Sequence, residues 1–399
     1  MTDSVFDVVV VGGGPAGATA AADLARAGRH VMLLDRDGRI KPCGGAIPPR
    51  VVVDFEIPDS LLVAKVNAAR MISPANRHVD MPIDGGYVGM VDREVYDEWL
   101  RARAATQGAT RVTGSYERLS EDGEESVRVH YRPVTDGKPG PSTSVLARAV
   151  IGADGASSAV ARERVPGAER TKYVAAYHEI VRAPSAGAVH DYAPQRCDVW
   201  YQGALSPDFY GWVFPHGPTM SIGVGSAQKG YSLRGAVTEL RARAGLGDLE
   251  TVRREGAPIP MKPLRRWDDG RRVLVAGDAA GVVAPASGEG IYYAMASGRI
   301  AAETIDRFLV TGDARELAMA RKRFMADHGR VFWVLGMMQY FWYSSDKRRE
   351  RFVAICEDED VQRLTWQAYM HKKLVRSDPM AHLRIFLKDT AHLLGIARA

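Results

Sequence analysis

Phe6-Asp-Val-Val-Val-Val-Gly-Gly-Gly-Pro-Ala-Gly17 decides the fold. Phe6 to Val11 reads as a buried strand, Pro15 to Ala27 as an alanine-rich helix stopped by Gly28, and Val31 to Leu34 as the next strand. Gly12, Gly14 and Gly17 match GxGxxG between that strand and helix. The first glycine makes the tight turn, the second admits a pyrophosphate to the backbone, and the third lets helix pack on strand. Pro15 and Ala16 open the helix, whose N-terminus favours phosphate charge. Asp35, followed by Arg36, ends the second strand, where a carboxylate can bind a ribose hydroxyl. The unit predicts dinucleotide binding and leaves FAD and NAD(P) equally open.

Working outward, Lys41-Pro-Cys-Gly-Gly-Ala-Ile-Pro-Pro49 is too punctuated for helix or regular strand and reads as a shaped loop. A short helix is expected over Arg93 to Ala105. Strands are expected over Arg111 to Ile151, turned at Asp122-Gly123 and Asp136 to Gly140, and again over Val174 to Val224. Gly281 to Glu289 reads as loop, Ile291 to Phe308 as helix, and the chain beyond Asp313 as helical to its end. The expected fold class is α/β: a Rossmann-like dinucleotide domain (1–75, 98–165, 265–315), an antiparallel β-sheet substrate domain (76–97, 166–264) and a helical C-terminal region (316–399).

Composition bounds the function. The 399 residues are 46% hydrophobic and 25% charged, an ordinary globular balance. The formal charge of +5 comes from 53 basic and 48 acidic residues spread along the chain, too diffuse for a nucleic-acid footprint. Cys43, Cys197 and Cys356 lie far apart, so neither a disulfide framework nor a metal site is expected. The N-terminus carries no basic leader, and no window offers about 18 uninterrupted apolar residues. A cytoplasmic protein, soluble or peripheral, is the expectation.

Two later segments choose the cofactor. Val273-Leu-Val-Ala-Gly-Asp-Ala-Ala280 puts Gly277 and Asp278 after a buried strand, followed by Pro285, Gly288, Gly290 and a helix from Ile291. It resembles the Gly-Asp motif of flavoprotein hydroxylases and reductases of the p-hydroxybenzoate-hydroxylase-like fold, which implies that Asp278 holds the flavin ribityl chain. Gly152-Ala-Asp-Gly155 resembles the Asp-Gly motif of the same proteins, tied to FAD and NADPH, and implies roles for Asp154 and Gly155. Its arginine usually stands one residue before Arg162. FAD and NADPH are thus the implied cofactors.

Pro207-Asp-Phe-Tyr-Gly-Trp-Val-Phe-Pro215 and Gly223-Val-Gly225 are similar to the YxWxFP…GxG signature of geranylgeranyl reductases. Periodicity alone makes Tyr210, Trp212 and Phe214 one aromatic face, read first as a sheet packed on its core and otherwise as a wall for an alkene chain. The resemblance implies substrate contact by Tyr210, Trp212, Phe214 and Pro215. Cys43-Gly44-Gly45, with Ala46, matches that family's loop over the flavin, and Cys43 is either a proton donor or a small packing residue. Arg93-Glu-Val-Tyr-Asp97 resembles a helix start beside FAD, with Arg93 the implied contact and Asp97 pairing locally.

Met90 to Arg93, Arg254 to Pro260 and Pro285 to Gly290 extend the likeness to the family's bacteriochlorophyll branch. That implies NADPH- and FAD-dependent reduction of three double bonds, turning a geranylgeranyl tail into phytyl on bacteriochlorophyll or on the free diphosphate. Cys43, Tyr210 and His216 are the candidate proton donors. The implied partners are the prenylated pigment and pigment-synthesis enzymes, with peripheral contact on the cytoplasmic face of a photosynthetic membrane. Val331 to Tyr343, with Trp333, Met337, Met338, Phe341 and Trp342, is either a channel lining, a membrane contact or plain core. A flavin monooxygenase and a prenyl-binding chaperone of the same fold are the rival readings.

Overall fold

The computed structural model describes residues 5–36, 40–185 and 191–372. The chain divides into two compact units, one of 1–41, 93–173 and 258–329, the other of 42–92, 174–257 and 330–399.

The first unit is built on a seven-stranded sheet whose central strands are parallel. Val5–Val11 lies between Val31–Asp35 and Thr143–Gly152, with Thr110–Asp122 beyond the former and Val273–Val275 beyond the latter. Valines 8 to 11 are almost fully buried, as a strand covered on both faces requires. Ser126–Thr135 closes an antiparallel ribbon against both Thr110–Asp122 and Thr143–Gly152, turning at Gly123, which holds φ 71°. Its helices include Pro15–Arg26, Arg93–Thr106 and Ile291–Thr311. The first and last meet where Gly298 removes the side chain, since a Cβ there would stand 2.2 Å from the Ala16 carbonyl oxygen.

The second unit carries another seven-stranded sheet. Its order is Thr251–Pro260, Tyr173–Arg182, Thr219–Ser226, Gly211–His216, Arg196–Trp200, Ala68–Ile72 and His78–Pro82. All its specified pairings are antiparallel except that of Arg196–Trp200 with Ala68–Ile72, which is parallel. One face packs on the helix Leu233–Arg243 through Val213, Met220, Ile222, Val224, Val237 and Leu240.

Three boundaries differ from the sequence reading. Residues 42–75, expected with the dinucleotide domain, belong to the second unit, because Ala68–Ile72 pairs into its sheet and Ala46–Ile47 pairs with Val88–Val91. The Lys41–Pro49 loop therefore contains a two-residue strand, and Pro49 opens the helix Pro49–Asp54, where a missing N–H costs nothing. The helical tail is no separate region. Residues 316–329 go with the first unit and 330–372 with the second, as Met319–Trp342, Asp346–Ile355 and Glu359–His371. The expected helix beyond 372 lies outside the described residues.

Candidate active site

In the first unit the glycines of the fingerprint are fixed by backbone. Gly12 takes φ 104°, and a Cβ there would lie 2.3 Å from the Ala153 carbonyl oxygen. A Cβ on Gly17 would lie 1.8 Å from the Gly12 oxygen. Gly14, by contrast, faces open space, and it N-caps a helix that has neither a side-chain cap nor an acidic residue in its first turn. An uncapped positive helix end beside an open glycine is a site for an anion such as a pyrophosphate. The Asp35 carboxylate borders it, 2.7 Å from where a Cβ of Gly13 would sit. Arg101 holds that carboxylate at 3.2 Å. Arg36 is exposed beside it.

The Gly277–Asp278 turn joins the same assembly. Gly277, at φ 64°, leaves just enough room for Ala16, whose Cβ would be 2.7 Å from one on Gly277. The Gly277 amide donates to Ser297 Oγ. Asp278, its side chain 8% exposed, is ion-paired with Lys41, which stands two residues before Cys43. Its carboxylate also lies near Gly290, which N-caps Ile291–Thr311 with no side-chain cap and no acidic first turn. The loop before it, with buried Pro285 and with Gly288 at φ 67°, holds Ala286 at φ 63°, strain of the kind kept where a loop must be shaped for a ligand. Two uncapped helix ends, Gly14 and Gly290, and two carboxylates, Asp35 and Asp278, fit a dinucleotide with its polar chain.

Two expected contacts are otherwise engaged. Asp154 caps the helix Ala159–Arg164, accepting from Ser158 Oγ at 2.5 Å and from the Ala159 amide at 2.6 Å. Burial pushes its carboxyl up, against those hydrogen bonds. Gly155 keeps φ 88° with open space at its Cβ position. Arg93 and Asp97, each 5% exposed, form a bidentate pair at 2.8 and 2.7 Å, so the expected local pairing of Asp97 takes up the arginine fork. Arg162 is exposed on its helix.

In the second unit two motifs far apart in sequence meet. A Cβ on Gly44 would lie 3.1 Å from the Phe214 ring, and one on Gly45, at φ 70°, would lie 2.5 Å from His216 Nε2 and from the Val91 carbonyl oxygen. The Cys-Gly-Gly loop thus lies against the aromatic strand. Cys43 Sγ accepts from the Gly45 amide at 3.3 Å. His216 Nδ1 is 3.1 Å from the Phe214 carbonyl oxygen, and burial pushes its pKa down. The imidazole is therefore neutral, with Nδ1 donating and Nε2 left as an acceptor.

The GxG glycines are sockets for the aromatics. Gly223 pairs with Trp212 across the strands, and a Cβ on it would come within 2.2 Å of the indole Cζ2. A Cβ on Gly225 would be 2.6 Å from the Phe209 ring. Tyr210 stands just before the strand, buried between Phe209 and Trp212, with ring centroids at 4.2 and 6.0 Å. Pro215 is a correction: strand alternation puts it with Val213 on the opposite face from Trp212 and Phe214. That opposite face borders a cavity of about 300 Å³ lined by Trp200, Val213, Asp198 and Tyr192.

Sequence reasoning missed Arg101, Lys41 as a partner of Asp278, and the polar residues Glu255, His178 and Ser221 behind Trp212. Arg101 is eight residues beyond Arg93, on the same helix face, a spacing that was readable. The others had no local signal.

This arrangement defines the class of an FAD-binding oxidoreductase. A pyridine nucleotide-disulphide oxidoreductase family model matches residues 6–190, and a lycopene cyclase protein model matches 230–391. The chain is 57% identical to a geranylgeranyl diphosphate reductase of Rhodobacter capsulatus, over 98% of both chains. It is 38% identical to a chloroplastic geranylgeranyl diphosphate reductase of Oryza sativa, over 97% of this chain and 86% of that one. It belongs to the geranylgeranyl reductase family. A crystal structure of a geranylgeranyl bacteriochlorophyll reductase-like protein from Thermoplasma acidophilum shares the fold, with a TM-score of 0.80, 20% identity, and coverage of 95% of this chain and 99% of that one.

Proposed function

We propose that this protein reduces the three double bonds that separate a geranylgeranyl tail from a phytyl tail, with NADPH as electron source, on bacteriochlorophyll or on the free diphosphate. The observation that carries the reading is the aromatic face of Trp212 and Phe214, seated by Gly223 and covered by the Cys-Gly-Gly loop, in a chain 57% identical to a geranylgeranyl diphosphate reductase. An apolar wall suits a chain that offers no hydrogen bonds. Each buried methylene stabilises the complex by about 0.8 kcal/mol without fixing its register.

The first unit's Gly12, Gly14, Pro15, Ala16, Gly17, Asp35, Arg36, Gly155, Gly277, Asp278, Pro285, Gly288, Gly290 and Ile291 would hold FAD, which would supply the hydride equivalent when bound. An isolated alkene is not polarised by a carbonyl, so addition at one carbon requires a proton at the other. Cys43 is the proposed donor, since the Gly45 N–H that it accepts stabilises the sulfur as it gives up its proton. Neutral His216 holds the loop through its contact with Gly45, and Tyr210 packs the wall.

Peripheral membrane contact completes the reading. Trp333, Met337 and Tyr340 are 64%, 50% and 85% exposed, at helical i, i+4 and i+7 positions, with exposed Arg330, Lys347 and Arg348 nearby in sequence. No described helix is long and apolar enough to cross a membrane. Replacing the three apolar residues by serine is expected to abolish co-sedimentation with anionic vesicles while leaving flavin content intact.

The deciding experiment is anaerobic incubation of the FAD-loaded protein with NADPH and geranylgeranyl-bacteriochlorophyll, and separately with geranylgeranyl diphosphate, followed by mass spectrometry. Successive gains of two hydrogens, up to six, are expected with one or both. NADPH oxidation that requires oxygen, with unchanged tails, would instead identify a monooxygenase.

A further inference from the structure

Behind Trp212 runs a chain of buried polar groups. The indole N–H, which can only donate, points to Ser221 Oγ at 3.0 Å. His178 Nδ1 lies 2.8 Å from the same hydroxyl, which donates to it when the ring is neutral. That leaves Nε2–H for the Glu255 carboxylate at 3.0 Å. Arg253 pairs with the same carboxylate at 2.5 Å. Burial pushes the Glu255 carboxyl up, but His178 and Arg253 outweigh it and hold it below its ordinary value. Ser221 is fully buried, and His178 and Trp212 are nearly so.

The bonds at the two ends are fixed in direction, because an indole cannot accept and a carboxylate does not donate. Such a network selects one orientation for its terminal group. Gly223 contributes from the other side, since the indole and the His178 Cβ both fill the space a side chain would need.

We propose that Ser221, His178 and Glu255 are positioning residues that fix the angle of the Trp212 indole, and with it the register at which a prenyl chain lies on the aromatic face. The proposal rests on the reading that this face receives that chain. Apolar burial holds a polyprene firmly but permits sliding by one isoprene unit. An indole of fixed angle presents one ridge against which branch methyls seat, so stepwise reduction proceeds from defined positions. Loosening the indole lets the chain stop out of register and leave partly reduced.

The test compares Ser221→Ala in the wild-type and Trp212→Phe backgrounds, the latter lacking the indole N–H. In the wild-type background KM is expected to rise about fivefold, the equivalent of one neutral hydrogen bond, with kcat within about twofold. Tails reduced at only one or two double bonds should accumulate. In the Trp212→Phe background the same substitution should add nothing. Equal effects in both backgrounds, or a loss of kcat alone, would overturn the proposal. A readout independent of turnover is the indole ¹H–¹⁵N resonance of Trp212, assigned by its loss in Trp212→Phe. It is expected to move in Ser221→Ala and Glu255→Ala and to stay in Glu255→Gln, whose amide oxygen still accepts from His178. An unmoved resonance in Ser221→Ala sinks the proposal, whereas a wild-type enzyme that reduces no prenyl substrate sinks the functional reading and leaves this resonance test standing.

Discussion

The two units solve close packing in opposite ways. Around the fingerprint, glycines meet backbone: Gly17 faces the Gly12 oxygen, Gly12 faces the Ala153 oxygen, and Gly298 faces the Ala16 oxygen. Around the aromatic face, most glycines meet side chains: Gly223 faces Trp212, Gly225 faces Phe209, and Gly44 faces Phe214, while Gly45 meets both His216 and the Val91 carbonyl oxygen. A backbone atom cannot retreat without moving a strand or helix, whereas a ring can be exchanged for a smaller one. Close contacts of the first kind tolerate no added side chain, and those of the second can be retuned in compensating pairs.

Gly17→Ala should break this contrast most severely. The methyl has nowhere to go, and a loss of about 3 kcal/mol is expected, together with the ability to retain FAD; thermal melting and flavin absorbance check both. A stable yellow Gly17→Ala protein would mean that the fingerprint can flex. Gly223→Ala should cost about 2 kcal/mol in a wild-type background and less beside Trp212→Phe, which removes the ring bearing Cζ2 but leaves the His178 Cβ in place. A thermal-denaturation cycle measures the coupling, and strict additivity would erase the distinction between the halves. Arg101→Ala frees the Asp35 carboxylate and should weaken FAD about fivefold in a fluorescence titration, with little change in melting.

The smallest expected effect concerns His216. Its folded pKa lies below the ordinary 6.5, so between the two values the unfolded chain binds more protons than the folded one. Its stability contribution is thus fully present above about pH 6.5 and declines as the pH falls below it. His216→Asn, whose amide can still donate to the Phe214 carbonyl, should flatten the fall in melting temperature between pH 6.5 and 5.0. The same slope in both proteins would assign the loss to another group.

Much of the cofactor half was legible because its chemistry is written in glycine spacing. Gly12, Gly14 and Gly17 identify the turn, and Gly277-Asp278 the second approach, since few other residues satisfy a positive φ or a contact this close. The aromatic strand was legible as a period of two, although alternation then turned Pro215 away from the face assigned to it. The partners were not legible. Lys41 and Asp278 are 237 residues apart, and Glu255 and His178 are 77 apart. Each reads locally as an ordinary solvated charge or strand residue, and only pairing between strands Tyr173–Arg182 and Thr219–Ser226 brings His178 to Ser221. Unit boundaries failed for a related reason, since membership of 42–75 is decided by strands around residues 88 and 196.

The interleaving of the two units also has a consequence in time. Strand Thr143–Gly152 pairs on one side with Val5–Val11 and on the other with Val273–Val275. A ribosome adding about 5–20 residues per second needs roughly 6 to 24 s to make the chain between them. For that interval the buried Ala149-Val150-Ile151 stretch of the nascent sheet carries an open edge. Until Val273–Val275 emerges, the backbone N–H and C=O groups along that edge stay open to strand pairing with other chains.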